Sequence, residues 1–163
     1  MRLDSNSAEK SFVLFALGKK RYALPAEIVA ELVGPSDLHV FPHTNPLLLG
    51  VLVRRGRIVP VWDVARVLSG ASIVNRRFHL IARQQFGEAA EWIALPVTGD
   101  CEIMAGLEPF PASSEHPSYV AGLLILVEEM VEILDLEKLA AMPAALPASD
   151  AAAEQTAAAE VHA

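Results

Sequence analysis

A single cysteine, Cys101, stands in a chain of 163 residues, which excludes an internal disulfide framework and supplies no pair of thiolates for a metal ion. Its ordinary role is that of a small buried apolar residue. Basic residues are in deficit, 13 against 20 acids, and the resulting net charge of −7 is the wrong sign for a protein whose main partner is a phosphate backbone. Nucleic acid is therefore not an expected partner. Long hydrophobic runs are missing as well. The mean hydropathy is positive, +0.36, yet the longest apolar stretches, Leu47 to Val53 and Tyr119 to Val127, fall far short of the roughly 20 residues that cross a bilayer. Met1 to Lys10 is polar, with no apolar run ahead of a small-residue cleavage site. A cytoplasmic location without direct membrane insertion is the expectation.

Catalytic patterns are equally scarce. No glycine-rich loop leads into Lys-Ser/Thr, and no Gly-x-Ser-x-Gly elbow occurs. His39 and His43 have a metal-like separation, but Pro42 lies between them in a segment that reads as strand or loop. His79 falls inside a predicted strand, and His116 lies in a Pro/Ser loop without a cysteine or carboxylate cluster. No convergent set of catalytic groups can be assembled, so neither an enzyme nor a cofactor or metal protein is expected.

What the chain does have is apolar mass: 53 % of its residues are hydrophobic, ample for a core. The length suits one ordinary domain, or two very small ones sharing an interface. Gly/Pro-rich punctuation cuts the sequence into short runs of Val, Ile, Leu and Phe that read as strands. Phe12 to Leu17 and Arg21 to Leu24 form one predicted hairpin about Gly18-Lys19-Lys20; Gly50 to Val53 and Ile58 to Trp62 form another about Arg54, Arg55, Gly56 and Arg57. Gly56 supplies the positive φ such a turn requires.

The segment Gly50 to Leu68 can be laid on Gly122 to Ala140 without a gap. Val51, Leu52 and Val53 fall on Leu123, Leu124 and Ile125; Ile58, Val59 and Val61 fall on Met130, Val131 and Ile133; Asp63 falls on Asp135. Each aspartate precedes a short amphipathic stretch, Val64 to Leu68 or Leu136 to Ala140, whose first turn it can cap. Upstream, Tyr22-Ala23-Leu24-Pro25 resembles Ile93-Ala94-Leu95-Pro96, and Phe12 to Leu17 pairs in character with Phe78 to Arg83. A unit so small, used twice, argues for two closed barrels packed together, since closure removes exposed sheet edges. The expected boundaries are an N-terminal arm over 1–10, one barrel over about 11–70 and a second over about 76–141, with exchange of strands between them allowed, and a disordered Ala/Pro-rich tail over 142–163.

The stretch Gly50-Val51-Leu52-Val53-Arg54-Arg55-Gly56-Arg57-Ile58-Val59-Pro60-Val61-Trp62-Asp63 resembles the signature segment of CheW-like domains, in which a Gly opens a strand, an Asn-Leu-Arg-Gly turn follows and an Ile-Val-Pro-Ile-Val-Asp strand closes the hairpin. Arg55-Gly56 keep the Arg-Gly pair, while Val53 and Arg54 occupy the Asn and Leu positions. The resemblance runs from about Ser11 to Ala140. It implies a mainly β fold of two pseudo-repeated, SH3-like five-stranded barrels with short helices. The implied function is that of a non-enzymatic adaptor in bacterial chemosensory signalling. Its partners would be the regulatory domain of a CheA-type histidine kinase and the cytoplasmic tips of chemoreceptors, with self-association in arrays. By position, the partner-binding residues would be Val29, Glu31, Leu32, Gly50, Arg55 and Gly56. Ala94 and Asp100 depart from the pattern, standing where a Gly and an apolar residue are more usual.

Ala26 to Val33, with Pro25 before it and Gly34-Pro35 after it, reads as a short helix carrying the family's Val-x-Glu-Ile element. Ile28 with Leu32, and Val29 with Val33, would face a barrel. Glu27 and Glu31 would then stack at i, i+4, a like-charge arrangement that Arg55 would relieve by pairing with Glu31. Arg54 and Arg57 read as a solvated turn. The equivalent second turn carries Glu128, Glu129 and Glu132, so the two hairpins differ in charge, which suits head-to-tail contacts between copies. Two other functions remain open: a free-standing peptide-binding or inhibitory module of the same family, and a single-stranded nucleic-acid barrel using Arg54, Arg55 and Arg57 near Trp62 and Phe41.

Overall fold

Ten strands and two single-turn-and-a-half helices carry almost all the regular structure of the computed structural model, which describes residues 10–73 and 76–142. In chain order they are β1 (Phe12–Leu17), β2 (Lys20–Pro25), β3 (Val29–Val33), β4 (Leu48–Arg54), β5 (Arg57–Trp62), α1 (Val64–Ser69), β6 (Phe78–Phe86), β7 (Ala89–Val97), β8 (Glu102–Met104), β9 (Val120–Ile125), β10 (Met130–Leu134) and α2 (Leu136–Ala141). They form two five-stranded sheets, ordered β8-β1-β2-β10-β9 and β3-β6-β7-β5-β4. The protein is mainly β, as its sequence implies. Apart from Lys10 and Met142, the arm and the tail lie outside the described residues.

The second sheet takes five consecutive strands, β3 to β7, whereas the first combines β1 and β2 with β8, β9 and β10 from the other end of the chain. The first hairpin, β1-β2, is joined through the parallel pair β2-β10 to the last one, β9-β10; the hairpin β6-β7 is joined through the parallel pair β7-β5 to β4-β5. The two sheets are equivalent strand for strand, β1 with β6, β2 with β7, β8 with β3, β10 with β5 and β9 with β4. The register fixes the equivalence by residue. Leu14 faces Ala23 and Phe12 faces Pro25 in one sheet; Ile81 faces Ala94 and His79 faces Pro96 in the other. Phe12 is thus the counterpart of His79, one position on from the Phe78 that similarity of character suggested, and a one-residue change reverses the face on which every side chain falls.

Continuous apolar runs in the central strands reflect burial on both faces. Phe12 and Leu14 of β1, with Ala23, Leu124, Val131 and Ile133, fill the interior of the first sheet. The alternate residues Val13 and Phe15 point the other way, with Tyr22 and Leu24, into a core shared with Leu80, Ala82, Ile93, Leu95 and Val97 of the second sheet. Val33, Leu52, Val59, Val61, Ile81 and Ala94 fill the interior of that second sheet. Val64 of α1 and Leu136 and Leu139 of α2 complete the shared layer. Every central strand therefore serves one private core and the common one.

Both helices begin as their aspartates dictate. Asp63 accepts a hydrogen bond from the Arg66 backbone N–H at 3.3 Å and Asp135 from that of Lys138 at 3.1 Å. Asp63 is also buried and accepts from the Ser72 hydroxyl. The hairpin β4-β5 turns through Arg55 and Gly56 at φ +51° and +73°, the pair of positive values that a two-residue loop matched to sheet twist requires.

One prediction fails locally. Ala26 to Val33 is not a helix: a 3-10 turn covers Ala26–Ile28 and Val29–Val33 is strand β3, paired antiparallel with β6. Eight residues are too few for a stable isolated helix, whereas the edge of β6 offers a complete set of backbone partners to a segment rich in valine. Exposure along β3 alternates residue by residue, so Glu27 and Glu31 do not stack, and the repulsion expected between them does not arise.

Candidate functional site

The interior faces of the second sheet end in charge rather than in apolar side chains. Leu52 and Val59 lie in its core. Two residues further along β4 and two residues back along β5, on the same face, stand Arg54 and Arg57, directly paired across the hairpin. Trp92 and Arg83 face each other across β6-β7 at the same end. Glu31 comes in from β3, the opposite edge of the sheet. The sheet thus closes at this end through side chains instead of backbone hydrogen bonds.

Glu31 is the hub. Its carboxylate accepts two hydrogen bonds from Arg54, Nε to Oε1 and Nη2 to Oε2, each 3.0 Å. Arg55 stands 3.6 Å from the same carboxylate as an ion pair, with a far more exposed side chain. The expected pairing of Arg55 with Glu31 forms, but as the weaker contact: Arg54, read as part of a solvated turn, makes the two-pronged one. Strand parity accounts for Arg54, which lies on the inward face set by Leu52 and is paired with Arg57 across the hairpin. The Arg54 guanidinium holds the Glu31 carboxyl below the usual carboxylate range, against a smaller opposing effect of burial.

Ala30, Glu31, Arg54, Arg55, Arg57, Val59, Ile81 and Trp92 enclose a cleft of about 400 Å³. The Arg57 guanidinium lies 5.1 Å from the centre of the Trp92 ring, and that of Arg83 lies 5.8 Å away. Of the six residues predicted from the family pattern, Glu31, Arg55 and Gly56 meet at this mouth, and Leu32, 39 % exposed, points outward beside Glu31. Val29 starts the same strand. Gly50 is apart from the cleft and has a packing role: a Cβ there would stand 2.6 Å from the carbonyl oxygen of His39, whose backbone bridges to Val51 along the free edge of β4. Gly122 repeats this under Phe110, whose carbonyl would be 3.0 Å from an added Cβ.

Sequence reasoning missed Trp92 and read Arg54 and Arg57 as a solvated turn, whereas all three line the cleft. The signal was present in the period of two: Arg54 and Arg57 continue the inward face set by Leu52 and Val59. Trp62 and Phe41, the aromatics suggested beside the arginines, lie elsewhere, Trp62 against Phe86 and Phe41 against His43. Ala94 lies inside the second sheet's core, so its departure from the family pattern falls in packing and not on the cleft.

The equivalent mouth of the first sheet has opposite chemistry. Glu102 faces Leu14 there as Glu31 faces Ile81, and Arg21 occupies the place of Trp92. Arg21 donates to Glu102 at 3.0 Å and to Glu129, while Lys20 pairs with Glu132. Two of the three glutamates of the acidic hairpin are therefore already bound to cations of β2, and Glu128 alone remains without an ion pair among the described residues. The outer faces of the two hairpins match more closely. Val53 pairs with Ile58, and Ile125 with Met130, at equivalent and exposed positions.

Among the described residues no three His, Cys, Asp or Glu side chains gather as a metal site, and no helix is long and apolar enough to cross a membrane. His43 accepts from the Asn45 N–H and His116 from the Ser113 N–H.

Two equivalent barrels joined by a common core, with charged mouths and exposed apolar hairpins, define a duplicated, mainly β protein. The sequence profile of the CheW-like domain matches residues 11–144, and the chain belongs to that family. It is 25 % identical over 142 residues to a chemotaxis protein CheW of Klebsiella aerogenes, covering 85 % of this chain and 86 % of the other. Protein FrzA of Myxococcus xanthus is 29 % identical over 115 residues, 70 % of this chain and 68 % of FrzA. A probable chemotaxis protein CheW of Rhizobium etli is 22 % identical over 138 residues, covering 82 % and 89 %. The fold is shared with the crystal structure of the scaffolding protein TtCheW from Thermoanaerobacter tengcongensis, with a TM-score of 0.68, 23 % identity and coverage of 80 % and 87 %. The two sheets are accordingly SH3-like barrels, as the resemblance implied.

Proposed function

We propose that this CheW-like protein is a non-enzymatic adaptor of the bacterial cytoplasm that couples methyl-accepting chemoreceptors to a CheA-type histidine kinase. The observation that carries the reading is the joining of Glu31, Arg54 and Arg55 across the mouth of the second sheet, on a chain of the CheW-like family. This places a shaped, charged rim beside the exposed Leu32, a surface suited to docking. Val29, Glu31, Leu32, Arg55 and Gly56 form the receptor-facing surface, with Arg54 added, and Gly50 supports it from beneath. The exposed pairs Val53/Ile58 and Ile125/Met130 offer apolar patches for the kinase regulatory domain, or for further copies in an array.

Reconstitution of receptor fragments, kinase and this protein tests the proposal. Arg54→Ala removes a solvent-screened ion pair, which contributes little to stability, so the variant stays folded while receptor-coupled kinase activity falls. Ile58→Asp abolishes co-sedimentation with the kinase. If both variants couple receptor and kinase as the parent does, the proposal fails.

A further inference from the structure

The cleft at the second sheet's mouth is over-supplied with cations. Arg54, Arg55 and Arg57 line it, and Glu31 is its one carboxylate. Glu31 is fully engaged by the two-pronged Arg54 contact and by Arg55. Arg57 has no carboxylate within ion-pair distance among the described residues and lies instead against Trp92. This is the reverse of the equivalent place in the first sheet, where a single arginine lies between two glutamates. The protein as a whole is acidic, so a local excess of guanidinium charge is not a reflection of composition.

Three features restrict what fits. Guanidiniums grouped at one end select an anion that can take several parallel N–H donors, which phosphate does well. The floor is apolar, formed by Val59 and Ile81, and one wall is an indole, so a planar ring has a surface to stack on. The volume, about 400 Å³, lies within the range of roughly 300–1,000 Å³ for small-molecule sites.

We infer that the cleft walled by Glu31, Arg54, Arg55, Arg57 and Trp92 binds a small phosphorylated ligand with a planar ring, of the nucleotide class. The ring lies over Val59 and Ile81 beside Trp92, and its phosphates meet Arg57 and Arg55. Glu31 keeps Arg54 in place as the rim. Because the rim is also the surface assigned to receptor docking, occupancy competes with that docking. Binding itself does not depend on the coupling reading and is measured without receptor or kinase.

The experiment follows the two indole N–H signals, of Trp62 and Trp92, in the full chain by NMR, assigned with Trp92→Phe. Titrants are ADP, GDP, inorganic pyrophosphate and a short glutamate-rich peptide. The Trp92 signal is expected to move saturably with at least one nucleotide while that of Trp62 stays, and Arg57→Ala is expected to weaken binding about tenfold or more without changing the melting temperature. Pyrophosphate is expected to bind at least about tenfold more weakly than the nucleotide, having no ring to stack. The inference is overturned if neither nucleotide moves Trp92 at millimolar concentration, if pyrophosphate binds as tightly as the nucleotide, if the acidic peptide binds and the nucleotides do not, or if Arg57→Ala leaves the affinity unchanged.

Discussion

His79 is 3 % exposed, faces the interior of the second sheet, and has neither ring nitrogen hydrogen-bonded among the described residues. Its counterpart in the first sheet is Phe12, so the fold itself supplies the replacement: His79→Phe. Leaving a polar group buried without a partner costs about 1–3 kcal/mol, and the larger phenyl ring gives part of this back if the second barrel is tighter than the first. The absolute gain at neutral pH is therefore modest, but the pH dependence isolates the group. Burial pushes the His79 imidazole below its ordinary value of 6.5, and Arg76 pushes in the same direction. Below pH 6.5 the unfolded chain then binds a proton that the folded chain does not, so stability present in full above that pH is lost as the pH falls. The loss is at most about 1.4 kcal/mol per pH unit. Urea titrations of parent and variant at pH 7.5 and 5.5 read it: the carboxylates contribute to both proteins, and the difference between them belongs to His79. The parent should lose more stability on acidification than His79→Phe. Parallel losses, or a larger loss in the variant, would refute the argument.

Other perturbations follow from the same geometry. Gly50→Ala drives a methyl into the His39 backbone and should lower stability by about 1–3 kcal/mol, whereas Gly122→Ala, with a longer approach to Phe110, should lower it less; chemical denaturation orders the two. Asp63→Ala removes a cap and strands the Ser72 hydroxyl, and should cost about 1–2 kcal/mol, more than Asp135→Ala, whose aspartate accepts only the cap bond. The Cys101 thiol is pushed up to about 11, chiefly by burial and then by Asp100, so its alkylation at pH 8 should run roughly tenfold slower than that of an unhindered thiol. A double-mutant cycle of Arg54→Ala with Glu31→Gln should give a small favourable coupling that weakens with added salt, and the same cycle with Arg55→Ala a smaller one.

The local devices of the fold were readable because each depends on residues close in the chain. The two hairpins, the Arg55-Gly56 turn and both aspartate caps required only turn chemistry and the period of two. The internal repeat was readable for the same reason, since Gly50 to Leu68 and Gly122 to Ala140 keep identical spacing. Segment Ala26 to Val33 was misread because its helix-flanking signals, Pro25 and Gly34, are equally those of a short edge strand, and only the neighbouring edge of β6 decides between them.

The sequence by itself determined that there are short strands, where most of them turn, that a unit is used twice, and which family the pattern resembles. Tertiary structure alone decided that the first sheet takes strands from both ends of the chain and encloses the run that makes the second, that His79 stands where Phe12 does, and that Arg54 rather than Arg55 makes the two-pronged grip on Glu31. Those outcomes hinge on pairing between strands far apart in sequence, where a shift of one residue exchanges the inside of a barrel for its outside. Spacing along the chain carries no record of which distant strand is the neighbour.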